Sequence, residues 1–201
     1  MKRWIAKSLL VLLAASSLPA AADTYRVDLI VFLDKSATTE AGMAAQAPST
    51  DNAIALDDRA TLAAFGIRIL PDSEFGLQEQ WNRLRNAARF QPLVRLAWTQ
   101  TDPPSERGPA LQIRHGQSFA ATDAQNLSSY LTAPVEGSVA LLLNRYLQLD
   151  ADLRYTVPTA QGLRVYRLQE RRRMRRDELH HLDSPKLGIL ARVQRVEETR
   201  R

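Results

Sequence analysis

In "TYRVDLIVFLD", Tyr25, Val27, Leu29, Val31 and Leu33 fall on one face and Arg26, Asp28 and Asp34 on the other. Such alternation marks a β-strand, because successive side chains leave opposite faces of the pleat. Ile30 and Phe32 make the middle apolar on both faces, which predicts a central strand covered from two sides. "KSATTEAGMAAQAPSTDNAIALDDRA" follows, rich in small residues and without sustained period, and reads as a surface loop with at most a short helical turn. The period changes in "PDSEFGLQEQWNRLRNAARF". Leu77, Trp81, Leu84 and Ala88 recur at i, i+4, i+7 and i+11, which predicts a helix with Asp72 or Ser73 capping its start.

After the helix, period two returns. "QPLVRLAWTQ" is a strand ended by "TDPPSERGP", whose paired prolines lack ladder donors, and "ALQIRHG" is a short edge strand. "GSVALLLNRYLQLDADLRYTV" keeps its apolar residues on one parity from Val139 to Val157, broken at Arg145. Fully extended, the segment would span roughly 70 Å, too long for a small domain. A bulge or bend at Asn144 to Tyr146 is therefore expected. "VPTAQG" is a turn, and "LRVYRLQERRRM" and "KLGILARVQRV" are two further extended segments. Together these elements predict an α+β domain: mostly antiparallel sheet, with a C-terminal meander of the last three long strands and one main amphipathic helix packed on it.

The first residues stand apart from this pattern. "MKRWIAK" is basic, "SLLVLLAAS" is a short apolar run, and Ala20-Ala21-Ala22 offers a small-residue cleavage site, so 1–22 reads as a secretory signal peptide and 23–201 as a single domain. The apolar run falls short of a bilayer span, and no Cys follows to carry a lipid, which predicts an exported protein without a stable membrane anchor. Without that segment the charge balance changes. The chain holds 27 basic and 22 acidic residues, and the leader takes three basic ones with it, leaving 24 against 22. The remainder is uneven: twelve basic residues face six acidic ones from Arg164 to Arg201. An anionic partner would dock there.

Candidate chemistry concentrates in "RLQERRRMRRDELHHLDSPKLGIL". Glu178, His180, His181 and Asp183 are metal-ligand types, but adjacent His residues on extended chain point to opposite faces, and no second ligand cluster exists. The reading is no metal and no cofactor. There is no Cys nucleophile, Gly-x-Ser-x-Gly elbow or phosphate-binding Gly loop, so no enzyme is expected. Arg171, Arg172, Arg173, Arg175 and Arg176 would suit phosphates, yet an exported chain of small net charge, with no aromatics between these arginines, does not read as a nucleic-acid binder. Arg forks also match carboxylates, including those of cell-wall stem peptides. The competing reading is a solvated strand face whose charges blunt an edge. Trp98 is either a stacking platform or a core filler, Trp81 belongs to the helix's apolar stripe, and Tyr146 stands at the proposed bend.

Four stretches taken in order, "YRVDLIVF", "RLRNAARFQPLVRLAWTQ", "GSVALLLNRYLQLDADL" and "RRRMRRDELHHLDSPKLGIL", resemble the CsiV family of periplasmic peptidoglycan-binding proteins of gammaproteobacteria. The last is similar to that family's Arg-Arg-Met-Arg…Glu-Leu-His-Tyr-x-Asp-His-Pro-x-x-Gly pattern. His181 stands where the pattern has Tyr, Ser184 where it has His before Pro185, and Gln148 where His often follows Tyr-Leu. The resemblance implies a non-catalytic envelope protein that associates with peptidoglycan and supports synthesis by a class A penicillin-binding protein, through that synthase or its lipoprotein activator. The alternative is an envelope adaptor that contacts proteins and never grips the wall. Chemistry, not the resemblance, nominates the ligand contacts: Arg173, Arg175 and Arg176 for carboxylates, and Tyr146 or Trp98 for sugar.

Overall fold

The computed structural model describes residues 22–36, 42–44, 53–160 and 162–197. The expected signal peptide, up to residue 21, and half of the small-residue loop lie outside the described residues. The elements are β1 (Thr24–Asp34), β2 (Met43–Ala44), β3 (Ala53–Ile54), α1 (Arg59–Ala64), β4 (Ile67–Ile69), a 3-10 turn (Asp72–Glu74), α2 (Gln78–Asn86), β5 (Phe90–Thr101), β6 (Ala110–His115), β7 (Phe119–Thr122), β8 (Ser129–Thr132), β9 (Val135–Leu143), β10 (Leu147–Thr159), β11 (Gly162–Arg173), β12 (Leu179–Asp183) and β13 (Leu187–Val196). They form a five-stranded sheet in the order β12-β13-β1-β5-β4, a six-stranded sheet in the order β2-β11-β10-β9-β6-β3, and a separate hairpin, β7-β8. Pairing is antiparallel except for the short β3–β6 contact, which is parallel.

The two large sheets share one core. Val27, Leu29 and Val31 of β1, Trp98 of β5 and Ile189, Ala191 and Val193 of β13 cluster with Ile113, Val139, Leu141, Leu149, Leu153 and Leu168 of the other sheet. Face-to-face sheet packing of this kind interdigitates two apolar faces, and each fully buried aliphatic side chain contributes about 1.5–3 kcal/mol. The opposite face of β1 has its own cluster: Ile30 and Phe32 meet Ala97, Leu70, Phe75, Leu77 and Leu84, with Trp81 partly buried against them. Strand β1 is thus the centre of its sheet and apolar on both faces, as its sequence predicts. Packing over Phe32 is tight enough that a Cβ at Gly188 would lie 2.2 Å from its ring.

Three expectations are corrected. The chain does not merely bend at Asn144 to Tyr146. It reverses, with Leu143 opposite Leu147 and the Asn144 N–H bonded to the Tyr146 carbonyl at 3.2 Å, so β9 and β10 are a hairpin. The meander therefore consists of β9, β10 and β11, while β13 leaves that sheet and pairs with β1. Between them the "LHHLD" stretch is an additional edge strand, β12. The helix starts at Gln78 with Leu77 at its N-cap, and Asp72 and Ser73 sit in the preceding 3-10 turn. The physical reason is tertiary: Gly76 donates its N–H to Asp28 at 2.7 Å, and its carbonyl accepts from Arg192 at 3.0 Å. Those bonds tie the backbone to the sheet just where an earlier helix start would claim it.

Candidate functional site

At one end of the sandwich, the β9–β10 turn, the C-terminal end of β11 and the first residues of β1 enclose a pocket of about 510 Å³. Arg145, Arg173, Arg175, Arg176 and Arg195 line it together with Tyr25, Tyr146 and Asp23. Five guanidinium groups face one carboxylate, so this wall of the molecule is strongly cationic.

Each arginine is delivered by a local device. Met174 is buried, and its N–H bonds the Leu147 carbonyl at 2.8 Å, which pins the end of β11 to the start of β10 and sets Arg173 and Arg175 on either side of the anchor. The Arg175 N–H donates to His180 Nε2 at 2.9 Å. The turn that follows closes through Asp177, which adopts a positive φ of 65° and donates its N–H to the Val193 carbonyl at 2.9 Å. Asp and Asn tolerate that left-handed conformation better than most residues. On the other side of the pocket, the Asn144 side chain accepts from the Arg145 N–H at 2.6 Å and fixes the hairpin tip.

The guanidinium of Arg173 lies 3.4 Å from the centre of the Tyr146 ring, and that of Arg145 lies 5.5 Å from it. A cation over an aromatic face is attracted by the ring quadrupole and keeps its N–H edges available to an acceptor. Tyr146 therefore holds Arg173 as a plate.

Pairing divides the arginine run in two. Arg171 is ion-paired to Asp150, and Arg172 to Glu170 at 2.7 Å. Arg175 makes only a long contact with Glu178, at 3.7 Å. Arg145, Arg173 and Arg176 have no carboxylate within ion-pair distance among the described residues. The one acid in the pocket, Asp23, is ion-paired to Arg195 and accepts from the Tyr25 hydroxyl at 3.2 Å. Burial, reinforced by the Asp23 charge, pushes the Tyr25 phenol above its ordinary value, so it stays a neutral donor.

The structure thus brings Arg173, Arg175, Arg176 and Tyr146 into one pocket and adds Arg145, Arg195, Tyr25 and Asp23, which sequence reasoning did not select. Arg145 carried a signal, as the one charge breaking a long apolar parity; Arg195 carried none. Trp98 lies elsewhere. It is fully buried in the shared core, so the stacking-platform reading has no exposed ring to work with. The His pair splits as adjacent strand residues must: His180 turns to the Arg175 backbone, and His181 stacks on Phe32 with ring centres 5.8 Å apart.

Chemically, a pocket with several unpaired, partly pre-oriented guanidinium groups is a carboxylate or phosphate receptor. A sequence model described as a peptidoglycan-binding protein, CsiV, matches residues 4–196, nearly the whole chain. Among curated proteins and among solved structures, no match was found.

Proposed function

The chain belongs to the CsiV family, and from that membership and the unpaired arginines we propose that it is an exported, non-catalytic protein that holds peptidoglycan by its stem-peptide carboxylates. The observation that carries the reading is the convergence of Arg145, Arg173 and Arg176 on a 510 Å³ pocket with no acid to neutralise them among the described residues. Stem peptides present planar carboxylates, which the Arg fork engages with two parallel hydrogen bonds. Bound this way in the periplasm, the protein would present the wall to a class A penicillin-binding protein, directly or through that synthase's lipoprotein activator.

The test is sedimentation with purified sacculi. The protein is expected to pellet with them at low salt and to be released as ionic strength rises, because exposed charge pairs are screened. Replacing Arg173, Arg175 and Arg176 together by Ala should weaken retention and flatten its salt dependence while the fold is kept. A protein that stays in the supernatant at low salt refutes direct binding.

One observation favours contact with a protein partner as well. The β7–β8 hairpin exposes two large apolar side chains, Leu127 at 78% and Leu131 at 69%. Exposed apolar groups on a projecting hairpin suit a partner surface. In-cell crosslinking separates the roles: an adaptor loses its envelope attachment when the synthase is deleted, and a wall binder keeps it.

A further inference from the structure

The outward face of the six-stranded sheet carries a second concavity, of about 270 Å³, beside the arginine pocket. Its floor is made of small side chains: Ala110 on β6, and Ser138 and Ala140 on β9. The registers put Leu111 opposite Val139 and Asp150 opposite Ala140, so the small residues of neighbouring strands lie side by side. One wall is Asp150, Asp152, Gln169 and Arg171. The other is the loop carrying Glu106 and Arg107.

That loop is held in place. The Leu143 N–H donates to the Pro104 carbonyl at 2.8 Å, and Gly108 lies so close to Pro104 that a Cβ there would come within 2.0 Å of its ring. The opposite wall is equally ordered, because Arg171 is ion-paired to Asp150, and Arg167 holds both Asp152 oxygens at 2.7 and 2.5 Å. The trough's charges are thus largely paired within the wall, unlike those of the arginine pocket. Outside those pairs, the Gln169 amide and the Ser138 hydroxyl both donate and accept, and Glu106 and Arg107 add one charge of each sign. Such a surface suits neutral hydroxyl and acetamido groups better than an ion. Arg171 in the trough and Arg173 in the pocket share a strand face two residues apart, about 7 Å. One polymer bearing both sugars and carboxylates would reach both at once.

We propose that this trough, floored by Ala110, Ser138 and Ala140 and walled by Gln169, Asp150 and the Glu106–Arg107 loop, binds an N-acetylated hexosamine of the glycan strand while the arginine pocket holds the attached peptide. The inference rests on the carboxylate reading of that pocket. Two linked subsites raise overall affinity beyond either alone by making the second contact intramolecular.

The experiment uses purified protein and two separate probes: peptide-free glycan chains prepared with an amidase, and a soluble stem peptide. Ala140→Leu fills the trough floor, and Gln169→Ala removes a wall contact without touching an ion pair; thermal melts check that both stay folded. Binding of the peptide-free glycan should weaken at least about tenfold in each variant, with stem-peptide binding unchanged. If the protein binds the stem peptide and not the bare glycan, or binds the glycan equally well in both variants, the trough is not a subsite and the arginine pocket stands alone. If neither probe binds, the carboxylate reading fails and the trough falls with it.

Discussion

Arg26 and Arg192 converge on a single carboxylate, whereas Arg145, Arg173 and Arg176 converge on open space. The first group surrounds Asp28, whose side chain is fully buried on the helix-covered side of β1. Asp28 takes two bonds from Arg26, at 2.9 and 3.0 Å, and one from the Gly76 N–H, and Arg192 approaches it at 3.9 Å. Both oxygens of that carboxylate accept hydrogen bonds inside the fold. The second group has comparable chemistry, with Arg145 and Arg173 over the Tyr146 ring, and no carboxylate within ion-pair distance among the described residues. What separates a structural arginine cluster from a receptor is therefore not the number of arginines or their closeness in sequence, but whether the fold supplies the anion.

The sharpest way to break that contrast is to remove the internal anion. Asp28→Ala leaves Arg26 and Arg192 without their carboxylate, bonded only to the Glu74 and Gly76 carbonyls, and frees the Gly76 N–H. Removing one member of a buried pair costs about 3–5 kcal/mol, and because both arginines keep some solvent contact the lower end, about 3 kcal/mol, is expected. At roughly 2–4 °C per kcal/mol for a chain of this length, the melting temperature should fall by about 6–12 °C. Gly76→Ala should act in the same direction, since its Cβ would sit 2.7 Å from Arg192 and 2.8 Å from Asp28. A melt unchanged by Asp28→Ala would mean that this cluster is no more structural than the pocket.

In the pocket the opposite outcome is expected. Replacing Arg145, Arg173 and Arg176 by Ala removes like charges that repel one another, so stability should stay within about 0.5 kcal/mol of the parent while sacculus retention is lost. A large loss of stability instead would place these arginines in the fold's own support. Asp23→Asn refines the same point from the other side. Asp23 is a carboxylate already resident in the site, ion-paired to Arg195. Neutralising it should tighten binding of a soluble stem peptide a few-fold, and calorimetric titration of the variant against the parent reads this directly; weaker binding would make Asp23 part of the receptor rather than a competitor.

How much of this was legible beforehand follows from what periodicity encodes. Strand β1 could be read as central because two apolar faces require two covering layers, a local property of eleven residues. The β9–β10 reversal was hidden because a three-residue turn preserves parity: Leu141 and Leu143 before it, and Leu147 and Leu149 after it, are all odd. A bent strand and a hairpin leave the same alternation. The start of α2 was misplaced because the Asp72 cap is a local signal, overridden by the bonds that Asp28 and Arg192 make to Gly76 from distant strands. The arginine run was visible as composition, but its division was not. Arg171 finds its acid twenty-one residues away on β10, and only the strand register reveals which of its neighbours go without.

The smallest expected effect concerns a third kind of pair, between these extremes. Asp34, at the end of β1, accepts from Arg89 at 2.6 Å, and Ser36 donates both its N–H and its hydroxyl to the same carboxylate. The Arg89 hydrogen bond, followed by those from Ser36, holds the Asp34 carboxyl well below the usual carboxylate range. A group whose value is lowered by folding stabilises the native state fully above its unfolded value, near pH 4. That contribution drains away as acid protonates the folded carboxyl. The pair lies at the surface with Arg89 largely in water, so its contribution is modest. Asp34→Asn should therefore lower the urea midpoint slightly at neutral pH, and the gap between variant and parent should close as the pH drops below about 4. A gap that widens on acidification would show that folding raises the Asp34 carboxyl rather than lowering it, and that the Arg89 pair does not form in solution.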